Sequence, residues 1–143
     1  MVDPLLSHPL VPIASPDDAA ETLDSLLPYL APDASLTVVH VVEKAGGAPD
    51  KASVEQREEY AEEAFELVRD RCADAGVTVE TRVAFGTDVS ETIFDLAAEI
   101  DASAIAFVPR GGSRLVQFLT GDTALDLITD TDRPVVALPG GSE

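Results

Sequence analysis

The sequence predicts an α/β fold: a three-layer α/β/α sandwich in which helices cover both faces of a five-stranded parallel sheet. Short apolar segments rich in Val and Ile alternate with longer segments whose apolar residues recur at helical spacing. Regular alternation of this kind is typical of parallel sheets with right-handed crossovers. Apolar residues make up 45% of the 143 residues, enough for one core, so we expect a single domain over residues 1–143.

The first strand is predicted at residues 10–13. Pro12 argues against a central position for it, because proline cannot donate to a strand ladder. Ser15 and Pro16 then have the residue types of a helix N-cap and a first helical residue. The apolar face of this helix is predicted to be formed by Leu23, Leu26, Leu27 and Leu30.

Residues 35–42 are rich in β-branched side chains and predict a buried second strand, followed by a loop at 43–49. A long helix is predicted over 51–75, with Gly76 as its C-terminal cap. Residues 77–84 alternate between apolar and polar, which favours a half-buried strand at a sheet edge. The inward face of the long helix is predicted to be Ala61, Phe65, Val68 and Cys72.

The second half of the chain predicts two further strands, at 104–108 and 135–138, the last preceded by a turn at 132–134. Gly86 is predicted to mark a turn before the third helix. A loop at 109–113 leads into a helical segment interrupted near Gly121, where Thr123 and Asp126 have the spacing of a capping box. The inward face of the third helix is predicted to be Val89, Ile93, Leu96, Ala97 and Ile100.

The charge is strongly negative, with 27 Asp and Glu against nine Lys and Arg and a formal net charge of −18. Such a surface repels nucleic acid phosphates and anionic lipids, so we expect no binding to either. The acids are spread along the chain, which is typical of a protein from a salt-rich cytoplasm but also of an ordinary acidic protein. The N-terminus lacks the pattern of a signal peptide, and we expect a cytoplasmic protein.

The residues that usually carry catalysis do not form a recognisable constellation. His8 and His40 share no ligand spacing with other metal-binding residues, so no metal site is expected. Ser15 and Ser113 do not lie in a nucleophile elbow. Cys72 cannot form an intramolecular disulfide because it is the single cysteine, and it is expected to be a buried, inert thiol.

Ligands of doubly wound sheets bind beyond the carboxyl ends of the strands, where the strand order reverses. If the first and fourth strands flank that point, the site is built from residues 14–18 and 108–113. The second segment contains the compact basic cluster from Arg110 to Arg114, whose Gly-rich turn is suited to holding an anion. The alternative is that both arginines pair with nearby acids.

Several segments together resemble the universal stress protein family. They are Val11-Pro12-Ile13, Val39-His40-Val41, Gly86, residues 104–107, Gly111 and Gly121 with nine residues between them, and Pro134-Val135-Val136. The resemblance covers residues 8–139. It implies a sheet in the order 3-2-1-4-5, the fold of the adenine nucleotide alpha hydrolases, and it accounts for Pro12, since the family carries proline there. It also implies a homodimer joined through the last strand, Val135, Val136, Ala137 and Leu138.

ATP-binding members of that family share a glycine-rich motif, and its frame is altered in this chain. Gly111 and Gly121 match, whereas Val108 replaces the first glycine and Asp122 replaces the final hydroxyl residue. Ala14 stands where those members carry an aspartate. An ionised Asp122 cannot donate to phosphate. It would need a bridging Mg²⁺, or else it stabilises the next helix. The residues implied for an altered nucleotide site are Ala14, Ser15, Val41, Val108, Arg110, Gly111, Gly112, Ser113, Gly121, Asp122 and Thr123.

The resemblance therefore implies a non-catalytic regulatory or stress-response domain that acts on an unidentified protein partner, with weakened or absent binding of ATP and Mg²⁺. A second hypothesis is an adenylate-binding sensor that uses the anion loop from Arg110 to Ser113. An enzyme on this fold is the third, and the absence of an acid at Ala14 counts against it.

The acidic composition generates a first prediction. Lowering the salt concentration from about 1 M to about 0.01 M lengthens the Debye length from about 3 Å to about 30 Å. If the protein is adapted to salt, its melting temperature should fall over this range, because the acidic side chains then repel one another unscreened. A melting temperature that does not change with salt would remove the idea of a salt-rich habitat.

Overall fold

The computed structural model describes residues 5–13, 16–30, 33–43, 51–86, 89–108 and 131–138. Strands and α-helices alternate from the first strand to the fourth, as the sequence predicts, and the fifth strand follows after residues that lie outside these ranges. The elements are β1 (Pro9–Ile13), α1 (Pro16–Leu26), β2 (Ser35–Glu43), α2 (Lys51–Ala75), β3 (Thr78–Gly86), α3 (Val89–Ile100), β4 (Ala104–Phe107) and β5 (Val135–Ala137). The predicted N-cap Ser15, the loop beyond Glu43 and the helical segment around Gly121 lie outside the described residues.

The five strands form one parallel sheet in the order β3-β2-β1-β4-β5, which confirms the expected topology. Helices α1 and α2 pack on one face of this sheet, where Leu23 and Phe65 join the side chains of Val11 and Val38. Helix α3 packs on the opposite face. The three layers follow from strand geometry, because successive residues of a buried strand point to opposite faces and both faces here are apolar.

Strand β1 lies in the middle of the sheet, and all five of its residues are buried. Pro12 therefore occupies a central strand, contrary to what its chemistry alone predicts and as the family resemblance implies. The ladder between β1 and β4 covers Pro9 and Leu10, so Pro12 lies past the part of β1 that is paired on both sides. The missing N–H is tolerated more easily there than in the middle of a doubly paired strand.

The end of α1 differs from the prediction. The α-helix stops at Leu26, and a short 3₁₀ turn at Leu27–Tyr29 follows it. Pro28 cannot donate the hydrogen bond that would continue the α-helix, and the chain is extended again at Leu30. Leu27 and Leu30 still pack against the core, so the predicted apolar character is correct but the helical conformation is wrong.

Two glycines have different structural roles. Gly76 has φ +73° and ends α2 as predicted, with its N–H bonded to Ala73 and that of Val77 bonded to the Cys72 carbonyl. Gly86 is not a turn residue, because it is the last residue of β3 and pairs with Glu43. A Cβ at Gly86 would overlap the hydroxyl of Thr92 on α3, so a larger residue at this position requires the Thr92 side chain to move.

Arg133, which the sequence analysis places in a turn, caps the C-terminus of α3. Its guanidinium donates to the carbonyls of Ala97 and Ala102, at 3.1 and 3.0 Å. The side chain is only 17% exposed and also pairs with Asp132 at 3.2 Å. A cation at this position stabilises the negative end of the helix dipole, and it adds a second donor to the Ala97 carbonyl, which also accepts from the N–H of Ala102. The segment that leads into β5 is thereby tied to α3.

This contact predicts that Arg133→Met lowers the free energy of unfolding by about 2 kcal/mol, because charge-assisted bonds to two mostly shielded carbonyls are lost. Arg69→Met is the matched control, since Arg69 pairs with the exposed Glu62 and its loss should cost less than about 0.5 kcal/mol. Urea unfolding of both variants at fixed salt measures the difference. Equal losses in the two variants would show that Arg133 is an ordinary surface arginine.

Candidate functional site

The strand order reverses between β1 and β4, which makes the carboxyl ends of these two strands the place for a ligand. The chain leaves β1 through α1 toward β2, on one side, and leaves β4 toward β5, on the other. In a doubly wound sheet, segments that leave the two flanking strands in opposite directions border a crevice beyond the strand ends. The strand order agrees with the premise of the predicted site, which is that β1 and β4 flank the reversal point.

Of the predicted site residues, Val41 and Val108 are described by the structure. Both lie near the carboxyl ends of strands that flank β1, and both are buried, with 5% and 0% exposure. They belong to opposite faces, since Val41 packs with the α3 side and Val108 with the α1 and α2 side. The predicted residues outside the described part are Ala14, Ser15, Arg110, Gly111, Gly112, Ser113, Gly121, Asp122 and Thr123.

Val108 is the first residue after β4 and contributes its whole side chain to the hydrophobic core. The backbone just before it is also held, because Leu138 donates from its N–H to the carbonyl of Phe107 at 2.8 Å. A side chain with no exposed surface anchors the chain at this point. Packing of the Val108 side chain in the core therefore fixes the backbone at the end of β4.

The first turn of α1 carries two carboxylates, Asp17 and Asp18. Asp17 is exposed, whereas Asp18 is 1% exposed and accepts a hydrogen bond of 3.5 Å from the hydroxyl of Thr22. A carboxylate in the first turn interacts favourably with the positive end of the helix dipole. Asp18 lies in the segment 14–18 that was predicted to line the site, but residue type alone cannot distinguish this buried acid from the exposed Asp17.

His40 is a further residue at this end of the sheet whose contacts the sequence does not reveal. It is 9% exposed, and its Nδ1 lies 3.3 Å from the carbonyl oxygen of Ile13, the last residue of β1. Its ring also lies edge-on to that of Tyr60 on α2, with centroids 6.4 Å apart and planes at 67°. The pairing of His40 with Ile13 in the register of β1 and β2 is what brings the imidazole close to this carbonyl.

The arginines show how this acidic chain uses its few cations. Among the side chains that the structure describes, Arg69, Arg71, Arg82 and Arg133 each contact at least one carboxylate. Arg82 on the edge strand β3 contacts Glu99 of α3 at 3.1 Å and Glu80 at 3.5 Å. Exposed pairs of this kind contribute little stability, but they neutralise charge on a crowded acidic surface.

The described residues hold no group of three or more His, Cys, Asp or Glu that could bind a metal ion. Cys72 is buried on α2, and burial raises the pKa of its thiol to about 11. The thiol is therefore protonated at neutral pH, and a protonated thiol is a weak nucleophile. Within the same ranges, no helix combines the length and the apolar character needed to cross a membrane.

Comparison with known proteins gives one family match. The model of the universal stress protein family matches residues 8–139. No curated protein sequence matches the chain.

Solved structures of the same fold support this match. A universal stress protein family member from Burkholderia pseudomallei is 24% identical, with a TM-score of 0.72, and the alignment covers 99% of this chain and 100% of that one. The universal stress protein from Archaeoglobus fulgidus in complex with dAMP is 21% identical, with a TM-score of 0.63 and coverage of 93% and 98%. An AMP-bound family protein from Arabidopsis thaliana is 14% identical, with a TM-score of 0.64 and coverage of 94% and 93%.

Proposed function

The chain belongs to the universal stress protein family, and we propose that within it the protein is a non-catalytic, cytoplasmic regulatory domain with weakened ATP binding. It acts through contact with a protein partner rather than through turnover of a nucleotide. The observation that carries the proposal is the complete burial of Val108 where the ATP-binding members of the family carry the first glycine of their motif.

Burial of Val108 weakens phosphate binding for a steric and an energetic reason. A glycine allows the backbone to approach a phosphate closely and to adopt positive φ, whereas a valine restricts both. Because the Val108 side chain is fully packed in the core, the chain cannot rotate there without losing buried apolar contact. The backbone at Val108 is therefore restricted from the positive φ and the close approach to a triphosphate that a glycine would allow.

The charges near the crevice act in the same direction. Asp17 and Asp18 place two carboxylates in the first turn of α1, at the end of the helix that would otherwise favour an anion. Asp122 adds a further carboxylate in place of a hydroxyl. A triphosphate with Mg²⁺ would need cations and donors to offset this field.

A second candidate is an adenylate sensor of the same fold. It is favoured by the neighbours that hold dAMP, cAMP and AMP, which carry a single phosphate each. One phosphate requires fewer donors than three, so the turn from Arg110 to Ser113 could hold it by backbone N–H groups and charge-assisted bonds. This candidate differs from the first in predicting selective binding of monophosphates.

Isothermal titration with ATP and Mg²⁺, and separately with AMP, distinguishes the two candidates. The regulatory proposal predicts that the wild-type protein does not bind ATP at micromolar concentrations. It also predicts that the affinity for ATP rises about tenfold or more when Ala14→Asp, Val108→Gly and Asp122→Ser are combined. Val38→Gly is a matched control, since Val38 is equally buried on the same face but lies away from the carboxyl ends of the strands. This substitution should destabilise the fold without raising the affinity for ATP.

Two results would contradict the regulatory proposal. Micromolar ATP binding by the wild-type protein that is lost in Gly111→Trp would show that the altered motif still works. Binding that is unchanged by all three substitutions would show that these positions do not form the site. Micromolar binding of AMP without binding of ATP would instead favour the sensor.

We also propose that the protein is a homodimer joined through β5. This strand lies at the edge of the sheet, where Val135 and Val136 are partly exposed and Ala137 is exposed. An exposed apolar strand edge favours pairing with another strand. The residues proposed at the interface are Val135, Val136, Ala137 and Leu138.

Light scattering at high salt tests this arrangement. Wild-type protein should have twice the mass of one chain, and Val136→Lys should give a monomer, because two lysines would face each other across the two-fold axis. Val79→Lys on the opposite edge strand is the control, since Val79 is also partly buried against the same core cluster. A monomeric wild type, or equal effects of both lysines, would contradict the proposal.

A further inference from the structure

Strand β3 forms a long outer edge of the sheet. All nine of its residues, from Thr78 to Gly86, pair with β2, and no other described strand lies on its far side. The register is continuous and the strand contains no proline, so the outer edge is regular along its whole length. Roughly half of the residues in such a strand direct their N–H and C=O groups away from the paired neighbour. Groups of this kind can pair with another extended chain.

The side chains of β3 that point to the face of α1 and α2 form an apolar row. Val79 and Val83 pack against the core cluster on that face but are only partly buried. Phe85 lies on the same side by strand alternation and is exposed. Apolar side chains of an added strand can pack on this row, because cross-strand neighbours on one face lie within contact distance.

The opposite side of the same edge is acidic. Glu80 and Glu99 lie 3.5 and 3.1 Å from the guanidinium of Arg82, and both carboxylates remain mostly exposed. Asp95 is also exposed, and it belongs to the same stripe of α3 as Glu99 and as Thr92, which approaches the end of β3. Within the described residues, three carboxylates therefore line this side of the edge against one guanidinium.

We propose that the outer edge of β3 is the surface by which this protein contacts its partner. It accepts an extended segment of the partner protein as an added strand, in which apolar residues alternate with Lys or Arg. The apolar side chains pack on the row of Val79, Val83 and Phe85, and the cations meet the carboxylates of Glu80 and Glu99. The regulatory role of this contact rests on the proposed function, whereas binding of such a segment to the edge does not.

The charges favour a basic segment over a second copy of this chain. A basic segment is attracted by a protein with a net charge of −18, over a distance that the salt concentration sets. A second β3 would instead bring its own Glu80, Asp95 and Glu99 to the same edge. Like charges placed opposite each other in a sheet are destabilising.

A synthetic peptide of about seven residues that alternates Lys and Val tests the proposal, because its length is that of an ordinary strand. Fluorescence anisotropy of the labelled peptide at one fixed salt concentration measures its affinity, and we expect saturable binding. A control peptide has the same composition, with Lys and Val in two separate blocks. It should bind at least about tenfold more weakly, since it cannot direct its lysines to one face and its valines to the other.

Substitutions in the acidic row provide a matched pair of variants. Glu80→Gln combined with Glu99→Gln should weaken peptide binding about fivefold, because two exposed charge pairs with the peptide are lost. Glu63→Gln combined with Asp70→Asn removes the same charge from two exposed positions of α2, and the affinity should change less than about twofold. All four changes keep the size of the side chain at exposed positions, so both proteins should fold.

Amide hydrogen exchange, followed by nuclear magnetic resonance, locates the bound peptide. The β3 amides that point away from β2 should exchange about tenfold more slowly in the complex, because they donate to the main chain of the peptide. The amides of Val135 and Val136 on the opposite edge strand should keep their exchange rates. Adsorption of a cationic peptide to the acidic surface would protect neither strand.

Four results would overturn the inference. They are no binding of the alternating peptide, binding without added protection in β3, protection in β5 instead, and equal losses of affinity in the two double variants. Protection of β3 that rises with protein concentration in the absence of peptide would show that a second copy covers the edge, and the choice of partner would then be wrong. Tight ATP binding would contradict the regulatory proposal but would leave the peptide measurements unaffected, so the two failures are distinguishable.

Discussion

The rest of the structure depends on β1 being hydrogen-bonded on both edges and covered on both faces. All five of its residues are buried, with β2 and β4 as neighbours and helices above and below. Backbone groups removed from water must find partners, and a parallel ladder supplies them only if both neighbouring strands are in place. The burial of β1 thus requires the crossovers through α1 and α3, which bring β2 and β4 to its two edges.

A chain with a net charge of −18 can still build this core because its acids lie mainly outside it. Helix α2 shows the separation, with Ala61, Phe65 and Val68 buried while Glu62 and Glu63 are exposed. Asp18 is the acid that the structure places inside, with Thr22 as a partner. Its location at the start of α1 connects the stability of that helix with the electrostatics of the crevice, since one carboxylate contributes to both.

The position expected for a ligand depends on topology, and the strand order was predictable. With β1 and β4 at the reversal point, the prediction that 14–18 and 108–113 line the site needs only the strand order. The side-chain contacts were not predictable in the same way. Val108 was identified by its motif position, but its complete burial on the α1 and α2 face depends on the side chains that surround it.

The sequence by itself determined the fold class, the element order and the apolar faces of α2 and α3, since these depend on local periodicity and residue type. Only the tertiary structure decided that Arg133 caps α3, that Gly86 lies against Thr92 and that His40 contacts the Ile13 carbonyl. Two of these contacts join residues 36 and 27 positions apart. No local pattern encodes such a partner, because it is selected by the packing of elements that meet only when the sheet has formed.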